Sequence, residues 1–490
     1  DEHFDPGLGP LVRATDLVLA SFPHLHPEQP AIEAWREFRQ CNADCLPVVT
    51  PDRPHILLVN PWIDDFAAYD VWAQPLGLLM LAGLLRRQGY RLSYLDCLDR
   101  FHPRAPRSDP FTRHGRGPYV KTPLPAPSGL EDIPRRYSRY GIRTAWLHDD
   151  LPRLAPPDLI LVTSMMTYWY PGVQATIAVL RQTYPAVPIL LGGIYATLCR
   201  EHAERTSGAD HVIPGAMDAH LLETIGSLTG YGARATIDLD DVDAYPYPAW
   251  DLRRRINYVP ILTSLGCPFD CAYCASRFLQ PRCRRRHPQA VIEEILFWHK
   301  TSGVRDFVIY DDAFLMQPDA HAGPILEGLI RSGARLRFHT PNALHIRGID
   351  RPMARLLARA GFHTLRLGLE TTVRSQQEAY DHKVNLDEFV SAADNLRNAG
   401  FTAQTVGAYL LIGLPGQPMD AVVESIRLVK KQGIQPILAY YTPIPHTQLW
   451  PEAVAASRYD LESDPVFSNN AIFPCQPESF SWERLSALKK

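Results

Sequence analysis

Short apolar runs separated by amphipathic stretches recur along most of the chain, and this alternation constrains its fold more than any other feature. HILLVN (55–60) suits a strand buried on both faces, PLGLLMLAGLLRRQGY (75–90) has helical period with a proline at its start, and RLSYLD (91–96) reads as the next strand. DLILVTSMM (158–166), PGVQATIAVLRQTY (171–184), PILLGG (188–193) and HVIPG (211–215) continue the series. Strand and helix in this order imply a parallel sheet covered on both faces. A proline-punctuated acidic stretch, DLDDVDAYPYPAWDL (238–252), marks a boundary. Beyond it YVPILTS, DFVIYDD, RFHTPN, TLRLGLE, TVGAYLLIGLPG and PILAYYTPIP alternate with helical segments. The expected fold class is therefore α/β: a Rossmann-like doubly wound parallel sheet, followed by a full or partial (β/α) barrel.

The expected organisation is a leader over 1–52, a Rossmann-like domain over 53–237, a linker over 238–254, a barrel over 255–450 and a C-terminal extension over 451–490. The first domain is interrupted at 97–157 by a stretch rich in Arg, Pro, Gly and His. A loop of that length is usually functional or disordered, and RGPYVKTPLPAP with PRRYSRYGI is expected to cover a crevice. Hydrophobic residues make up 46% and charged residues 21% of the sequence, the balance of a globular protein with ample core. The net charge of −3 exerts no global pull on nucleic acid. Arg282, Arg284, Arg285 and Arg286 form a local basic cluster that reads as solvated surface. No apolar run approaches the ~20 residues of a membrane span, and the start DEHFDPG lacks signal-peptide character. A cytoplasmic location is expected.

Of the nine cysteines, three fall in LGCPFDCAYCAS, immediately after the strand YVPILTS: Cys267, Cys271 and Cys274. Thiolates are soft ligands suited to iron–sulfur clusters, and three of them leave one iron of a cubane cluster without a protein ligand. Structural zinc is the alternative, with Cys283 or His287 as a fourth ligand, although closed zinc sites favour paired C-x-x-C knuckles.

This segment resembles the radical S-adenosylmethionine (SAM) superfamily, motif by motif over about 255–450, including the aromatic Tyr273 before the third cysteine. The resemblance implies a 4Fe-4S cluster on Cys267, Cys271 and Cys274, with SAM chelated to the open iron and cleaved to a 5′-deoxyadenosyl radical. It also implies a substrate and an external electron donor such as flavodoxin or ferredoxin. Asp311 and Asp312 in YDDAF stand where the family often has Gly-Gly-Glu facing the methionine end of SAM. Glu370 in GLET stands where a carboxylate can accept from ribose hydroxyls. Gly413 and Gly416 in GLPGQ permit close backbone approach near adenine, or simply make a tight turn. His339 and His345 receive no role.

The sheet ahead of the barrel resembles, segment for segment, the cobalamin-binding domains fused to one large class of radical SAM enzymes. Ligands of such sheets bind at the carboxyl ends of the strands. The expected cobalamin-binding residues are Asn60, Pro61 and Trp62; Ser164, Met165 and Thr167, with Tyr168 as bulk over a corrin face; Gly192, Gly193, Tyr195, Ala196 and Thr197; and Gly215. One departure is that the first strand is followed by NPWIDDFAAYD, without the family's Asp-x-His-x-x-Gly. A corrin here is then not ligated from below by that histidine. The expected function is a cobalamin-dependent radical SAM methyltransferase acting on an unactivated carbon. The alternatives are a cyclase or rearrangement enzyme with the same cofactors, and a non-catalytic zinc or nucleic-acid-binding protein.

Overall fold

The computed structural model describes residues 52–232, 237–476 and 482–483; the expected leader lies outside them but for its last residue. The first half contains β1 (His55–Asn60), β2 (Ile63–Asp65), β3 (Arg91–Asp96), β4 (Lys121–Pro123), β5 (Ser138–Tyr140), β6 (Leu159–Val162), β7 (Ile189–Leu191) and β8 (His211–Val212). Five of these form a parallel sheet in the order β3-β1-β6-β7-β8. Every residue of β1 is buried because both faces are covered. Leu57 and Val59 pack with Val173, Ile177 and Leu180 of the helix Tyr170–Thr183. Ile56 and Leu58 pack on the opposite face with Leu78, Leu81 and Leu85 of the helix Leu76–Gln88. Each such side chain contributes about 1.5–3 kcal/mol by leaving water.

The second half contains β9 (Val259–Ile261), β10 (Ser264–Leu265), β11 (Arg284–Arg285), β12 (Asp306–Ile309), β13 (Arg337–His339), β14 (Phe362–Glu370), β15 (Val406–Ile412) and β16 (Gln435–Tyr440). Six of them form a parallel sheet in strict sequence order from β9 through β12 to β16, while β10 and β11 make a short antiparallel pair. The sheet does not close, since β9 and β16 remain its two edges. The barrel is partial. Phe307 and Ile309 of β12 join the core under the outer helices, while Val308 joins a separate cluster with Tyr258 and Trp72 on the inner face. Among the described residues no helix is long and apolar enough to cross a membrane.

The insertion is ordered and has two jobs. Strands β4 and β5 extend β2 into a three-stranded antiparallel sheet that lies over the end of β1. Farther forward, the turn around His114 wedges Trp72 into the inner face of the barrel, with the Trp72 ring stacked 4.5 Å from His339 and its Nε1 donating to the His114 carbonyl at 2.8 Å. Asp70 receives Arg100 at 2.8 Å and the Tyr258 hydroxyl at 2.7 Å, all three residues buried, so both halves of the chain share this seam.

The basic cluster is solvated surface at Arg282 and Arg285, as expected, but not at Arg286, which is largely buried. Arg286 pairs with buried Glu294 at 2.5 Å, Arg284 donates to the Leu239 carbonyl at 2.7 Å, and Arg282 pairs with Asp240 at 2.8 Å. These contacts staple the acidic stretch near 238–243 to the hairpin that follows the cysteines. Arg284 and Arg286 are thereby engaged within the protein, while Arg282 and Arg285 remain exposed.

Candidate active site

The three cysteines lie on a loop at the carboxyl end of the first barrel strand. Gly266 opens this loop with φ of +79°, and a Cβ there would come within 2.7 Å of the Arg282 carbonyl, so glycine is required by both conformation and space. The loop is clamped from two sides: the Ala272 N–H donates to the Tyr380 carbonyl at 2.7 Å, and the Leu449 N–H donates to the Ala272 carbonyl at 2.9 Å. Cys267 and Cys271 are half-buried and Cys274 is exposed. Burial pushes the Cys267 thiol up to about 11 and the Cys271 thiol up to about 12, so their thiolates require a metal's charge to form at neutral pH.

A single zinc ion holds its thiolates at ~2.3 Å, which brings the sulfurs within about 4 Å of one another. Among the described residues, only His114, Asp306 and His339 gather three such ligand atoms within 4.8 Å. Cys267, Cys271 and Cys274 do not form such a tight group. The His114–Asp306–His339 group is an ion-pair clamp in its own right, since the Arg337 guanidinium holds both Asp306 oxygens. Burial alone would raise the Asp306 carboxyl, but hydrogen bonds from His114, His339 and Arg337 hold it well below the usual carboxylate range.

Asp311 and Asp312 are neighbours with different surroundings. Asp311 is buried, accepts from the Thr263 N–H at 2.7 Å and from the Thr263 and Ser264 hydroxyls, and so ties β12 to the start of the cysteine loop. Desolvation lifts its carboxyl to about 6 against those hydrogen bonds. Asp312 is exposed at the mouth of the concavity, and its charge is felt by Cys267.

Glu370, at the end of β14, has φ of +63°, an uncommon conformation for a glutamate, and sits at a shift in register against β15. Its carboxylate meets Lys383 Nζ at 3.0 Å, and the same ammonium donates to the Tyr273 hydroxyl at 2.7 Å and approaches Asp381 at 3.7 Å. Burial pushes the lysine down, but Glu370, Cys271 and Asp381 outweigh it and hold its pKa above the ordinary range. Lys383, Asp381 and His345 are site residues that sequence reading missed. DHKV carries no motif, and only the fold brings it beneath the cysteine loop. Gly413 follows β15, as expected, and Phe473 of the C-terminal extension lies 3.1 Å from where its Cβ would be.

The crevice expected along the N-terminal sheet is divided. At the end of β1, Asn60 donates to Asp96 at 2.8 Å, Trp62 Nε1 donates to the Ile142 carbonyl at 2.7 Å, and the insertion buries Trp62, with Pro61 beside it, almost completely. Thr167 and Tyr168 are buried as well, Thr167 against Ser468. Tyr195 and Ala196 belong to the sheet's core, and the Tyr195 hydroxyl meets His202 Nδ1 at 2.8 Å. The other part stays open. The Ser164 hydroxyl donates to the Gly192 carbonyl at 2.7 Å, and the Gly215 N–H donates to Thr197 Oγ1 at 2.9 Å. Gly193 has φ of +96° and could not carry a Cβ, which would strike the Ser164 carbonyl at 2.3 Å. Met165 is half-buried, and its neighbour Met166 is exposed with Ile194 across from it.

A short run of contacts links the helix beside this edge to the cysteine loop. Phe278, in the turn Ser276–Leu279 that follows Cys274, is exposed and stacks at 4.2 Å on His446, and His446 Nε2 donates to the Leu198 carbonyl beside the sheet edge at 3.1 Å. Met166, Ile194 and Phe278 are three of the five large apolar side chains exposed among the described residues.

Residues 261–429, the span that holds the cysteine loop, Glu370 and Lys383, match the family model of the radical SAM superfamily. This part of the chain is a radical SAM domain. An uncharacterized methyltransferase of Pyrococcus horikoshii is 24% identical over 327 residues, 61% of this chain and 70% of that protein. The cytidylyl-2-hydroxyethylphosphonate methyltransferase of Streptomyces wedmorensis is 22% identical over 422 residues, 74% of this chain and 73% of its own length. Among solved structures, the radical SAM methyltransferase TsrM of Kitasatospora setae, with cobalamin and a 4Fe-4S cluster bound, superposes with a TM-score of 0.59 at 16% identity, covering 83% of this chain and 76% of that one. At that identity the likeness is one of fold, and it extends over both halves of this radical SAM protein.

Proposed function

We propose that the chain is a cobalamin-dependent radical SAM methyltransferase that acts on an unactivated carbon. The observation that carries the reading is the run of contacts that ties the cysteine loop to the N-terminal sheet, in which Phe278 stacks on His446 and His446 donates to the Leu198 carbonyl. Cys267, Cys271 and Cys274 would hold a 4Fe-4S cluster, for which their number and spread are suited. Asp312, at the mouth, is available to the ammonium of SAM, and Glu370 presents a second oxygen to ribose hydroxyls while Lys383 fixes the first. Met165, Gly192, Gly193, Thr197 and Gly215, with Met166 and Ile194, form the open edge above buried Ser164, and its small and apolar residues fit a broad macrocycle. When bound, these groups supply one-electron and methyl-transfer chemistry, and the protein positions them and excludes water.

Anaerobic reconstitution with iron, sulfide and hydroxocobalamin, followed by iron and cobalt counts and an optical spectrum, tests both halves together. Turnover with methyl-labelled SAM should then place label on carbon of the product. A product of unchanged carbon count would overturn the methyltransferase reading, and zinc in place of iron would overturn the radical one. The organic substrate and an external electron donor of flavodoxin or ferredoxin type complete the proposal.

A further inference from the structure

Along β14 and β15 exposure alternates from residue to residue. Leu365, Leu367 and Leu369, with Ala408, Leu410 and Ile412, are buried against the outer helices, whereas Arg366 on β14 and Tyr409 and Leu411 on β15 are partly exposed. Successive side chains of a strand point to opposite faces, so these three line the inner face of the barrel, and that face is open. The opening is continuous with the residues around Glu370. A Cβ on Gly368 would lie 3.3 Å from Glu370 Oε1 and 3.4 Å from Lys383 Nζ. Arg366 stands two residues earlier on the same face, about 6.6 Å along the strand.

Arg366 carries its charge there without a carboxylate. Its Nη1 donates to the Leu365 carbonyl at 2.9 Å, and its other side-chain partner is the Tyr409 hydroxyl, which itself donates to the Pro341 carbonyl at 2.8 Å. Arg116 comes in from the insertion, with its guanidinium 4.5 Å over the Trp72 ring. That ring stacks on His339, and the next residue, Thr340, accepts the Arg366 N–H at 3.1 Å. Arg116 Nε donates to the Arg113 carbonyl at 3.0 Å, and among the described residues no carboxylate pairs with it either. Other guanidinium groups of the seam are matched: Arg100 by Asp70, Arg139 by Asp64 and Arg337 by Asp306. A guanidinium has five N–H donors, so Arg366 and Arg116 each keep several to spare. None of their nitrogens is both buried and unpartnered, so the spare donors reach open space. Burial, joined by the Arg116 charge, pushes the Arg366 pKa down against the Tyr409 hydroxyl, and an anion between the two arginines would relieve that.

We propose that Arg366, with Arg116 beside it, binds an oxyanion of the organic substrate, which is therefore an acid held inside the barrel by its carboxylate or phosphate-type group. The planar guanidinium fork meets either group with two parallel N–H···O bonds. Tyr409 and Leu411 supply apolar surface on the same face for the body of the molecule. An acid anchored at Arg366 leaves the rest of the substrate to extend past Gly368 toward Glu370 and the cysteine loop. The inference rests on the proposed function for calling this ligand the substrate, whereas the anion site itself requires neither the cluster nor the corrin.

The test is binding of benzoate and of phenylphosphonate, with benzyl alcohol as their neutral match, to the chain reconstituted anaerobically with iron and sulfide, measured by isothermal titration calorimetry. At least one acid should bind saturably and about tenfold or more tighter than the alcohol, and the tighter acid gives the class of the substrate's anionic group. Arg366→Gln should weaken that acid about tenfold and Arg116→Gln about threefold, while Arg366→Lys, which keeps the charge without the fork, falls between wild type and Arg366→Gln. Iron content and SAM affinity should stay at wild-type values in all three. Binding of neither acid overturns the proposal, as does equal binding of acid and alcohol, or equal acid affinity in Arg366→Gln and wild type. A tenfold loss of SAM affinity in Arg366→Gln also overturns it, because the guanidinium then serves the carboxylate of SAM. Should Arg366→Gln fail to fold, Arg366→Lys and Arg116→Gln decide, and unchanged acid affinity in both overturns the proposal. Zinc in place of iron, or a full cluster that binds no SAM, overturns the radical reading and leaves the comparison of acids standing, so the two failures are distinguishable.

Discussion

Asn469 donates a hydrogen bond to Asp65 at 2.8 Å, joining the strand that follows β1 to a turn in the C-terminal extension across 404 residues of sequence. Trp169 Nε1 donates to the other Asp65 oxygen at 2.6 Å. Burial raises the Asp65 carboxyl, and these two donors oppose it. The extension is therefore part of the seam that holds sheet and barrel together. Replacing Asn469 by alanine removes one of two donors to a buried oxygen that the Phe66 N–H also reaches, together with the acceptor of the Ala471 N–H, and is expected to cost about 1–3 kcal/mol in urea unfolding. Replacing it by aspartate sets two carboxyls together and should cost more. Equal stability of Asn469→Ala and wild type would show that water substitutes for the amide.

The cluster ligands divide from the remaining cysteine nearby. Cys267→Ser, Cys271→Ser and Cys274→Ser are each expected to lose most of the bound iron and sulfide and all turnover. Cys283 is exposed on the hairpin that follows, and Cys283→Ser should keep iron content near that of wild type. Loss of iron in Cys283→Ser would add a fourth ligand and remove the open iron that the proposed chemistry needs.

The pattern of the chain made some of this legible. HILLVN is the strand β1 because an apolar run can be buried on both faces wherever helices flank it, and RLSYLD is the half-buried edge strand β3 beside it. The cysteines are legible because their spacing is local. Contacts set by long-range packing were not. The Arg286–Glu294 pair looks like two surface charges in sequence and becomes internal only once the helix Pro288–Ser302 docks. Trp62 reads as a crevice residue after a strand, yet Ile142, from the far end of the insertion, caps it. No periodicity announces that an insertion will fold back over the strand it interrupts. Lys383 lies within a polar stretch without pattern, and only the turn at Glu370 brings the two together.

Asp311 carries a pH dependence of definite sign. Its folded-state value of about 6 lies above the ordinary 3.8, so the folded protein binds its proton more tightly than the unfolded chain. Its contribution is full below 3.8 and is lost as pH rises through about 6, amounting to at most about 3 kcal/mol. Asp311→Asn removes the titration and keeps the shape. Unfolding of wild type and variant should therefore show wild type losing ground relative to Asp311→Asn between pH ~4 and pH ~7. A gap independent of pH would mean that the Thr263 and Ser264 hydrogen bonds fully offset desolvation.

Lys383 places a positive charge beside Cys271 and is expected to raise the reduction potential of the cluster. Lys383→Met removes that charge and leaves Glu370 and Asp381 unopposed, so the potential should fall by on the order of 1 kcal/mol, roughly 40 mV, in a redox titration followed by electron paramagnetic resonance. Lys383→Arg keeps the charge and should stay near wild type. An unchanged potential in Lys383→Met would confine the lysine to orienting Glu370 and Tyr273.

The divided crevice makes the last prediction the most discriminating for the corrin. If cobalamin lies on the open edge, a charge at Ile194 meets the macrocycle directly, and Ile194→Glu should lose cobalt binding by tenfold or more while iron content is unchanged, because Ile194 lies on the sheet's edge and not on the cysteine loop. Phe278→Ala removes apolar cover from the opposite wall and should weaken cobalt binding to a smaller extent. Trp62, sealed behind Ile142 and fully buried, supports the sheet from within, so Trp62→Phe should lower the unfolding midpoint and leave cobalt affinity close to wild type. Were Trp62→Phe instead to abolish cobalt binding in protein that remains folded while Ile194→Glu had no effect, the corrin would have to displace the insertion and enter at the end of β1.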